Sequence, residues 1–417
     1  MNSNLATVTA PPFRLEELLS QWRQVPLYQP ALAHRELSPA HFDASTEFFR
    51  LPFITKRDMR EGFPRNFLRD GQRLEILLHD KVVELEHTSG TSDEQTPVLF
   101  GHGWWDAQEQ RALRLNSYVA KVLHEFPDAK RATLTTPTCN GSACYTNWMS
   151  RTERTFGRTL FANLARIPFL LKETDLARIA TEITEWAPQF LDLDPVHGAW
   201  FALYCEKNGI KFPSLRFILC SYEFVSVVHK RILQRVFGVP VLNLFGSTET
   251  GHLLMEDEHG SMKASDETAF LEIVDEDSAG VGDLVVTTLS NDFMPLVRYR
   301  IGDLVQRSGH NGDSTYRVHG RVRDALRRAD GHRVTTLDVD QCFKDLTGVV
   351  HYQLLQSKTG DCRLTLVPAG APPDPSAIST LTIKLQDLLQ SQQPIATEIA
   401  SVIPPTPSGK FRLTCRA

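Results

Sequence analysis

Several features that would mark other classes of protein are missing from this sequence. No apolar run approaches the roughly 18–20 residues that a membrane-spanning helix needs, which argues against a membrane protein. The first twelve residues contain no basic segment followed by an apolar core, so they do not predict a secretion signal. The 7 cysteines are odd in number and widely scattered, which indicates reduced thiols and no disulfide framework. These absences predict a soluble, cytoplasmic protein without membrane partners.

Net charge is also small. Lys and Arg total 45 against 50 for Asp and Glu, so the net charge is -5, which argues against a dedicated nucleic-acid-binding protein. Internal repeats, coiled-coil heptads and long low-complexity tracts are absent from the sequence. What remains is an ordinary globular composition, 41% hydrophobic and 23% charged. A chain of 417 residues predicts more than one domain.

Helical and strand-like patterns alternate in the first part of the chain. Apolar residues recur at three- and four-residue spacing over 106–125 and 170–190, which predicts two amphipathic helices. Short apolar runs bounded by turn residues lie at 132–136, 215–220 and 239–244. This alternation predicts an α/β fold with a largely parallel sheet.

The pattern changes in the second part of the chain. Short β-rich stretches over 268–318 predict an antiparallel sheet that closes the large domain. After Gly320, helices at 337–346 and 376–391 and strands at 352–356 and 362–368 predict a compact α+β unit. We therefore predict a large N-terminal domain of mixed sheets and helices over 1–320 and a small C-terminal domain over 321–417.

A turn rich in hydroxyl groups follows a strand-like stretch at 81–86. It contains Thr88, Ser89, Gly90, Thr91 and Ser92, whose backbone N–H groups and hydroxyls could converge on an anionic phosphate. These residue types are equally common in polar loops that bind nothing, so both interpretations stay open.

A second turn carries a single carboxylate. It follows the apolar run 239–244 and reads Phe245-Gly246-Ser247-Thr248-Glu249-Thr250-Gly251. Glu249 could hold Mg²⁺ beside a phosphate, because Mg²⁺ prefers hard oxygen ligands. Phe245 could stack on a base. A plain strand-to-turn connection with Glu249 in solvent is the alternative.

Three shorter motifs follow toward the C-terminus. Asp303, after Arg300-Ile301-Gly302, could bind two ribose hydroxyls or stabilise a β-turn. Five arginines, which begin at Gly320-Arg321, could pair with an anionic ligand or form a solvated face; they are Arg321, Arg323, Arg327, Arg328 and Arg333. The turn at Gly409-Lys410 could direct an ammonium group at a ligand or belong to a frayed tail.

The order and spacing of these five motifs are more specific than any one of them. From Thr88 through Glu249, Asp303 and Arg321 to Lys410, the series resembles the adenylate-forming superfamily of acyl-CoA synthetases, luciferases and peptide-synthetase adenylation domains. The short chain and its proline-rich beginning are most similar to the phenylacetate–coenzyme A ligase branch. The resemblance covers most of residues 20–415. It implies a large adenylating domain and a small mobile C-terminal domain, and ATP-dependent activation of a carboxylic acid to an acyl-adenylate with release of pyrophosphate.

The resemblance also implies which residues bind ATP. The loop Thr88, Ser89, Gly90 and Thr91 would grip the β- and γ-phosphates. Phe245 would lie against adenine, with Gly246 and Ser247 in the same ATP-binding turn. The backbone of Ser221, Tyr222 and Glu223 would lie near the adenine as well.

The remaining implied roles concern charge and motion. Thr248 would touch the α-phosphate, and Glu249 would hold Mg²⁺. Asp303 would bind the ribose hydroxyls, Arg321 would face ribose or phosphate, and Arg323 would be the hinge of the C-terminal domain. Lys410 would bridge the substrate carboxylate and ATP. Cations are needed because the reaction joins two anions, whereas a carboxylate needs no general base at neutral pH.

The phosphate loop departs from the family pattern, which continues Thr-Gly-x-Pro-Lys. Here Ser92-Asp93-Glu94-Gln95-Thr96-Pro97 lacks the second glycine and the lysine. Two acids near a triphosphate would repel it, so the loop either binds phosphate weakly or moves aside. A non-catalytic nucleotide- or acyl-binding protein is the alternative function. The presence of Glu249, Asp303 and Lys410 favours an enzyme.

The resemblance places the acyl pocket between the central helices and the strands that lead to Glu249. Large side chains at this position either form the pocket wall or belong to the core; they are Tyr145, Trp148, Phe201, Tyr222, Phe224 and Leu253. A wall of this kind, like the branch resemblance, predicts an aromatic or otherwise flat acid.

The acceptor of the acyl group stays open between coenzyme A, a carrier-protein thiol and an amine. A third hypothesis makes the chain one component of a multi-subunit acyl-transfer complex. Basic residues Arg327, Arg328 and Arg333 could meet coenzyme A phosphates or an acidic carrier protein. Some members of the branch act in antibiotic pathways, one of them on a phenazine carboxylate, which makes antibiotic biosynthesis an implied role. Dimers are common in the branch, so a homodimer is expected by analogy.

Overall fold

The computed structural model describes residues 15–33, 48–49, 51–88, 95–135, 149–162, 165–309 and 314–417. The α-helices span Leu15–Trp22, Gln29–Ala33, Lys56–Arg60, Leu74–His79, Trp104–Leu113, Ser117–Glu125, Glu173–Trp186, Pro195–Lys207, Val227–Phe237, Thr336–Gln341 and Pro375–Leu389. Short 3₁₀ turns span Thr152–Arg154, Pro168–Leu170 and Val322–Asp324. None of the helices in these ranges combines the length and the apolar character that a bilayer crossing requires.

A 12-stranded sheet forms the centre of the described structure. Its strands, from one edge to the other, are Ala269–Val274, Val281–Thr288, Tyr299–Ser308, Thr315–Arg321, Met262–Ala264, Gly251–Glu256, Val241–Ser247, Phe217–Cys220, Phe190–Leu193, Arg131–Leu134, Thr159–Phe161 and Thr155–Phe156. Neighbours from Val241–Ser247 to Thr159–Phe161 pair in parallel, and the other neighbours pair antiparallel. The predicted α/β fold class is confirmed. The predicted antiparallel strands continue this same sheet.

The helix predicted over 106–125 is in fact two helices. Trp104–Leu113 ends and Ser117–Glu125 begins around Asn116, whose side-chain oxygen accepts a hydrogen bond from Val119 N at 3.0 Å. The Asn116 amide also donates to the backbone oxygen of Glu256 at 3.0 Å. A buried N-cap that is tied to a neighbouring strand therefore interrupts the apolar periodicity.

The turns that follow the parallel strands hold the residues of the candidate site. Asp194 comes directly after Phe190–Leu193 and caps the helix Pro195–Lys207 by accepting from Val196 N at 2.9 Å. A Cβ on Gly246 would lie 2.2 Å from the backbone oxygen of Gly251, so this turn requires glycine for its close backbone approach. Ligands bind at this edge of parallel sheets because loops at the carboxyl ends of the strands leave a crevice there.

The described part of the chain also contains three smaller sheets. Two are antiparallel pairs, Val83–His87 with Pro97–Gly101 and Leu326–Arg327 with Arg333–Val334. The third has 4 strands in the order Ala396–Ile399, Cys362–Pro368, Val349–Gln356 and Thr414–Arg416. The predicted helix 337–346 is shorter, because after Gln341 the chain tightens into turns in which Cys342 N donates to Val339 O and Phe343 N to Asp340 O.

The C-terminal sheet and the central sheet share one apolar core. Buried side chains of the helices Pro195–Lys207 and Val227–Phe237 belong to the same cluster as those of Val349–Gln356 and Cys362–Pro368. A polar contact accompanies this packing, since Ser226 Oγ donates to Asp340 Oδ1 at 2.5 Å. This packing brings the turn that carries Lys410 to the edge of the central sheet.

Candidate active site

A cavity of about 660 Å³ opens at the carboxyl ends of the parallel strands. It is lined by residues between 84 and 252 and by the turn at 408–410 near the C-terminus. The predicted site residues among them are Ser221, Tyr222, Glu223, Gly246, Ser247, Thr248 and Lys410. The structure therefore brings three of the sequence motifs to one cavity.

Lys410 reaches the cavity because the turn that carries it is anchored beside it. The backbone N–H of Phe411 donates to Glu223 Oε1 at 2.7 Å. Burial, together with the nearby charge of Asp194, holds the pKa of Glu223 well above its usual range. Burial and the neighbouring Arg321 lower the pKa of the Lys410 ammonium. A half-buried ammonium at this position attracts any anion that enters the cavity.

Tyr222, between Ser221 and Glu223, has an unusual backbone conformation. Its φ of 71° lies in the left-handed region, which is uncommon for a residue other than glycine. The Tyr222 hydroxyl donates to Asp192 Oδ2 at 2.9 Å, and this contact holds the ring at the cavity wall. Strained backbone of this kind is found most often at functional sites.

Glu249 follows the lining residue Thr248 and is almost completely buried. Its Oε1 accepts a hydrogen bond from the Tyr299 hydroxyl at 2.8 Å and lies 3.3 Å from Lys56 Nζ. Burial works to raise the pKa of this carboxyl, but Lys56 and the hydrogen bonds outweigh it and hold the pKa below its usual value. Glu249 is therefore a charged carboxylate at neutral pH.

Asp303 and Arg321 are direct partners in the ladder between their two antiparallel strands. Arg321 Nη1 lies 3.2 Å from Asp303 Oδ2. Burial raises the pKa of Asp303, and the charges of Arg321 and Lys410 counteract part of this shift. The charges of Lys56, Glu249, Asp303, Arg321 and Lys410 all interact, so they form one group, which we call the charged cluster.

The charged cluster suits a magnesium nucleotide. In the described part of the chain no three His, Cys, Asp or Glu side chains are grouped as a metal site of their own. Mg²⁺ is commonly held by one or two carboxylates together with substrate phosphates and water. The buried, ionised Glu249 fits that requirement. In the described structure Lys56 supplies the positive charge beside it.

The phosphate loop is only partly described. Thr88 is buried and exchanges hydrogen bonds with Thr96: Thr88 N donates to Thr96 O at 2.9 Å, and Thr96 N donates to Thr88 Oγ1 at 3.1 Å. The two ends of the loop are therefore closed against each other. The predicted phosphate-binding residues Ser89, Gly90 and Thr91 lie outside the described residues, as do positions 92–94.

Two further predicted residues adjoin the site. Phe245 is half-buried and packs against the core beneath the antiparallel strands. Arg323 lies in the turn Val322–Asp324, with Nε 3.6 Å from Asp324 Oδ1. Asp324 also pairs with Arg412 at 2.5 Å, which ties this turn to the C-terminal segment. The adenine and hinge roles of Phe245 and Arg323 stay predictions.

The other three arginines of the basic run have local partners. Arg328 Nη2 lies 2.8 Å from Asp330 Oδ2, and Arg333 Nη2 lies 3.5 Å from Asp277 Oδ2. Arg327 Nη1 donates to Gly331 O at 3.4 Å. Arg328 and Arg333 therefore form ion pairs at the protein surface. Contact of these arginines with coenzyme A phosphates or an acidic carrier protein stays a prediction.

Phe201, Phe224 and Leu253 of the predicted acyl pocket lie in or against the apolar cores, and their role in binding the acid stays a prediction. Phe201 is 1% exposed and packs against Phe212 with ring centroids 6.2 Å apart. Phe224 packs against the same core, and Leu253 is buried in another. Neither phenylalanine is among the described residues that line the cavity. The reason is that the helix Pro195–Lys207 has buried residues on every side, so Phe201 faces the interior. Tyr145 and Trp148 lie outside the described residues.

A polar wall, which the sequence analysis missed, lines the cavity instead. Its members are Glu109, Arg131, Asp192 and His252. Arg131 forms a two-pronged ion pair with Glu109 at 2.8 and 3.0 Å and lies 3.7 Å from Asp192. A polar residue inside a short apolar strand, as in Phe190–Leu193, is the signal that could have identified Asp192.

Asp303→Ala is expected to weaken ATP binding by about tenfold or more, because a buried carboxylate that accepts from a ligand contributes about 1.5–3 kcal/mol. Calorimetric titration of ATP measures this change. The control is Asp330→Ala, which removes a surface partner of Arg328 and should leave the affinity unchanged. Unchanged ATP affinity in a folded Asp303→Ala protein would remove Asp303 from the nucleotide site.

Sequence comparisons find relatives for most of the chain and for its C-terminal part. Residues 326–417 match the model of the CapK C-terminal domain. The phenylacetate-coenzyme A ligase of Thermus thermophilus is 24% identical over 370 residues, which cover 83% of this chain and 77% of that protein.

Solved structures of acid–CoA ligases share the fold. The 2-hydroxyisobutyryl-CoA ligase in the postadenylation state, in complex with R3-HIB-AMP, has a TM-score of 0.69 and 16% identity and covers 93% of this chain and 84% of its own. The anthranilate CoA ligase in complex with anthranoyl-AMP has a TM-score of 0.57 and 16% identity over 79% of this chain and 64% of its own. The predicted resemblance to the adenylate-forming superfamily and to its phenylacetate–coenzyme A ligase branch is therefore confirmed, and the chain has the fold of the acyl-adenylate-forming acid ligases.

Proposed function

We propose that this protein activates a carboxylic acid with ATP, forming an acyl-adenylate and pyrophosphate, and then transfers the acyl group to a thiol. One observation carries the proposal: Lys410 lines the cavity between Ser221–Glu223 and Gly246–Thr248, and its charge interacts with those of Asp303 and Arg321, although these residues come from widely separated segments. The ligase names and adenylate complexes of the similar proteins support the same reaction.

In the first step a carboxylate oxygen of the substrate attacks the α-phosphorus of ATP. A new oxygen–phosphorus bond forms, and the bond to the pyrophosphate leaving group breaks with its electrons. Both reactants are anions, so the ammonium of Lys410 would stabilise the negative charge that gathers between them. Holding the two reactants in line supplies much of the remaining acceleration. Deprotonation is not required, because the carboxylate is already ionised at neutral pH.

Residues of the charged cluster would orient ATP. Asp303 would accept hydrogen bonds from ribose hydroxyls, Arg321 would hold Asp303 in place, and Thr248 would donate its hydroxyl to the α-phosphate. Glu249 would hold Mg²⁺. The ion, when bound, neutralises phosphate charge and favours departure of pyrophosphate.

The second step would transfer the acyl group to coenzyme A, as the names of the similar ligases suggest. A carrier-protein thiol and an amine are the other acceptors that the proposal admits. An aromatic acid is the substrate class we favour, because aromatic rings at the cavity wall offer flat contact surfaces; they belong to Phe100, Trp105, Phe156, Phe161 and Tyr222. Homodimer formation, a cytoplasmic location and a role in antibiotic biosynthesis stay predictions.

The test is ATP–pyrophosphate exchange with a panel of aryl and alkyl carboxylic acids. We expect exchange that depends on the added acid and is fastest with aryl acids. Product analysis with coenzyme A then identifies the acceptor. A protein that binds ATP but shows no exchange with any acid would instead be a nucleotide-binding protein with a degenerate phosphate loop.

A further inference from the structure

The polar wall is a built network with several direct contacts. Glu109 comes from the helix Trp104–Leu113, Arg131 from the strand Arg131–Leu134 and Asp192 from the strand Phe190–Leu193. Asp192 Oδ1 accepts from Ser221 Oγ at 2.7 Å, and its Oδ2 accepts from the Tyr222 hydroxyl at 2.9 Å. Glu109 and Asp192 are 8% and 6% exposed, and both face the cavity.

The largest charge interactions of these groups are with one another. The charges that act most strongly on Asp192 are those of Arg131 and Glu109. The charges that act most strongly on Lys410 are those of Arg321, Glu223, Lys56 and Asp303. The polar wall lines the cavity, and from the charged cluster Lys410 reaches the same cavity. The charged cluster suits ATP, which leaves the polar wall for the other reactant.

Burial of this network costs free energy, which favours a functional role for it. Each buried ion costs several kcal/mol of desolvation, and well-packed apolar residues are often as stable in such positions. The network contains two carboxyl groups and one guanidinium. Burial raises the pKa of Asp192, and the charge of Arg131 counteracts part of this shift. Both hydroxyl groups donate to Asp192. Those two hydrogen bonds use two of about four lone-pair positions, so acceptor capacity remains toward the cavity.

An apolar surface adjoins the polar wall. Trp105 packs beside His252 with ring centroids 5.2 Å apart, and it packs on Phe100 at 6.1 Å. Burial lowers the pKa of His252, so its ring is neutral at neutral pH and adds no positive charge to the wall. A flat ligand would thus contact rings on its face and acceptors at its edge.

We propose, on the basis of the proposed function, that Asp192 and the Glu109–Arg131 pair select an acid that carries a hydrogen-bond donor, a hydroxyl or an amino group, away from its reacting carboxylate. The donor would bond to Asp192. An acid with a methyl group at the same position would leave this buried acceptor unpaired, and such sites discriminate strongly against analogues that lack the donor. The polar wall is therefore the specificity determinant of the acid site.

The experiment compares matched acids in ATP–pyrophosphate exchange. The pairs are 3-hydroxybenzoate with 3-methylbenzoate, and 3-(hydroxymethyl)benzoate with 3-ethylbenzoate, each tested with the wild-type protein. We expect kcat/KM for a donor-bearing acid to exceed that for its alkyl partner by about tenfold or more in at least one pair. Asp192→Asn keeps the shape of the side chain but replaces an acceptor by a donor, so it should bring this ratio close to one.

The control is Glu272→Gln. Glu272 is a buried carboxylate paired with Arg298 at 2.8 Å and is not among the described residues that line the cavity. Its replacement should leave the ratio between matched acids at the wild-type value. If Asp192→Asn does not fold, Tyr222→Phe provides the test. This change removes the hydroxyl that donates to Asp192, so the carboxylate has one more free acceptor position, and the kcat/KM ratio of the donor-bearing acid to its alkyl partner should rise.

The outcomes separate the two proposals. Exchange with no acid at all would overturn the proposed function. Exchange with equal kcat/KM for both members of every pair would leave the proposed function standing and overturn the selectivity. An Asp192→Asn protein that loses exchange equally with both acids would also overturn it, because a purely structural network affects all substrates alike.

Discussion

Replacing Lys410 with Ala is expected to reduce acid-dependent ATP–pyrophosphate exchange by about a hundredfold or more, because the reaction loses a cation aimed at its developing charge. The protein should remain folded, since Lys410 lies in a turn at the cavity edge and not in the apolar core. Acyl transfer from a supplied acyl-adenylate should be affected far less, because that step does not involve the triphosphate.

The control for this variant is Lys384→Ala. Lys384 is an exposed lysine of the helix Pro375–Leu389 that pairs with Asp345 at 2.8 Å, and its loss should leave exchange unchanged. Equal exchange rates for Lys410→Ala and wild type would contradict the role of Lys410 in adenylation.

The lowered pKa of Lys410 also predicts a pH profile. Because the ammonium form is needed, kcat/KM should fall as pH rises through a pKa below the usual lysine value. Folding stability should change with pH in the opposite direction to kcat/KM. A pKa that is lower in the folded than in the unfolded state destabilises folding at lower pH, and this penalty disappears as pH rises through that interval. Lys410→Met should therefore melt no lower than wild type at neutral pH, although it loses exchange activity.

Glu249→Gln is expected to reduce exchange by a similar factor, about a hundredfold, by removing the charged oxygen ligand for Mg²⁺. The Mg²⁺ concentration needed for ATP binding should rise, which calorimetry measures without any turnover. Tyr299→Phe is the matched control: it removes only the hydroxyl that donates to Glu249, and its effect should be much smaller. If Glu249→Gln binds ATP with the wild-type dependence on Mg²⁺, the carboxylate does not hold the ion.

The lowered pKa of Glu249 also predicts that the stability difference between wild type and Glu249→Gln depends on pH. Because the folded-state pKa lies below the usual value, the ionised carboxyl stabilises the fold above its unfolded-state pKa. That contribution is lost as pH falls through the folded-state pKa. The melting temperature of Glu249→Gln should therefore lie below wild type near neutral pH, and the difference should disappear in acid.

Prediction succeeded where the relevant signal is local. The strands Ala269–Val274 and Cys362–Pro368 agree with apolar stretches bounded by turn residues, and the helix Glu173–Trp186 follows a three- and four-residue apolar spacing. Failures occurred where a distant contact overrides the local pattern. Asn116 interrupts a regular apolar spacing because its amide bonds to Glu256 O, far along the chain.

The residues predicted for the acyl pocket and the charged groups of the cavity show the same difference between local signal and distant contact. A large side chain such as Phe201 satisfies a pocket wall and a core position equally well in the sequence, and only the packing of its helix decides between them. Lys56 could not be recognised either, because its partner Glu249 comes from another segment of the chain. The same holds for Glu109 and Arg131, whose ion pair joins a helix to a strand.

The sequence by itself determined the α/β class, the order of the motifs and the resemblance to acid ligases, because residue type and spacing carry this information along the chain. Tertiary structure alone decided which charges meet. It brought Lys410 near enough to Asp303 and Arg321 for their charges to interact, and it placed Asp192 beside Arg131 at the wall of the cavity. The physical reason is that electrostatic contacts depend on distance in space and on burial, and neither quantity is contained in the spacing of residues along the chain.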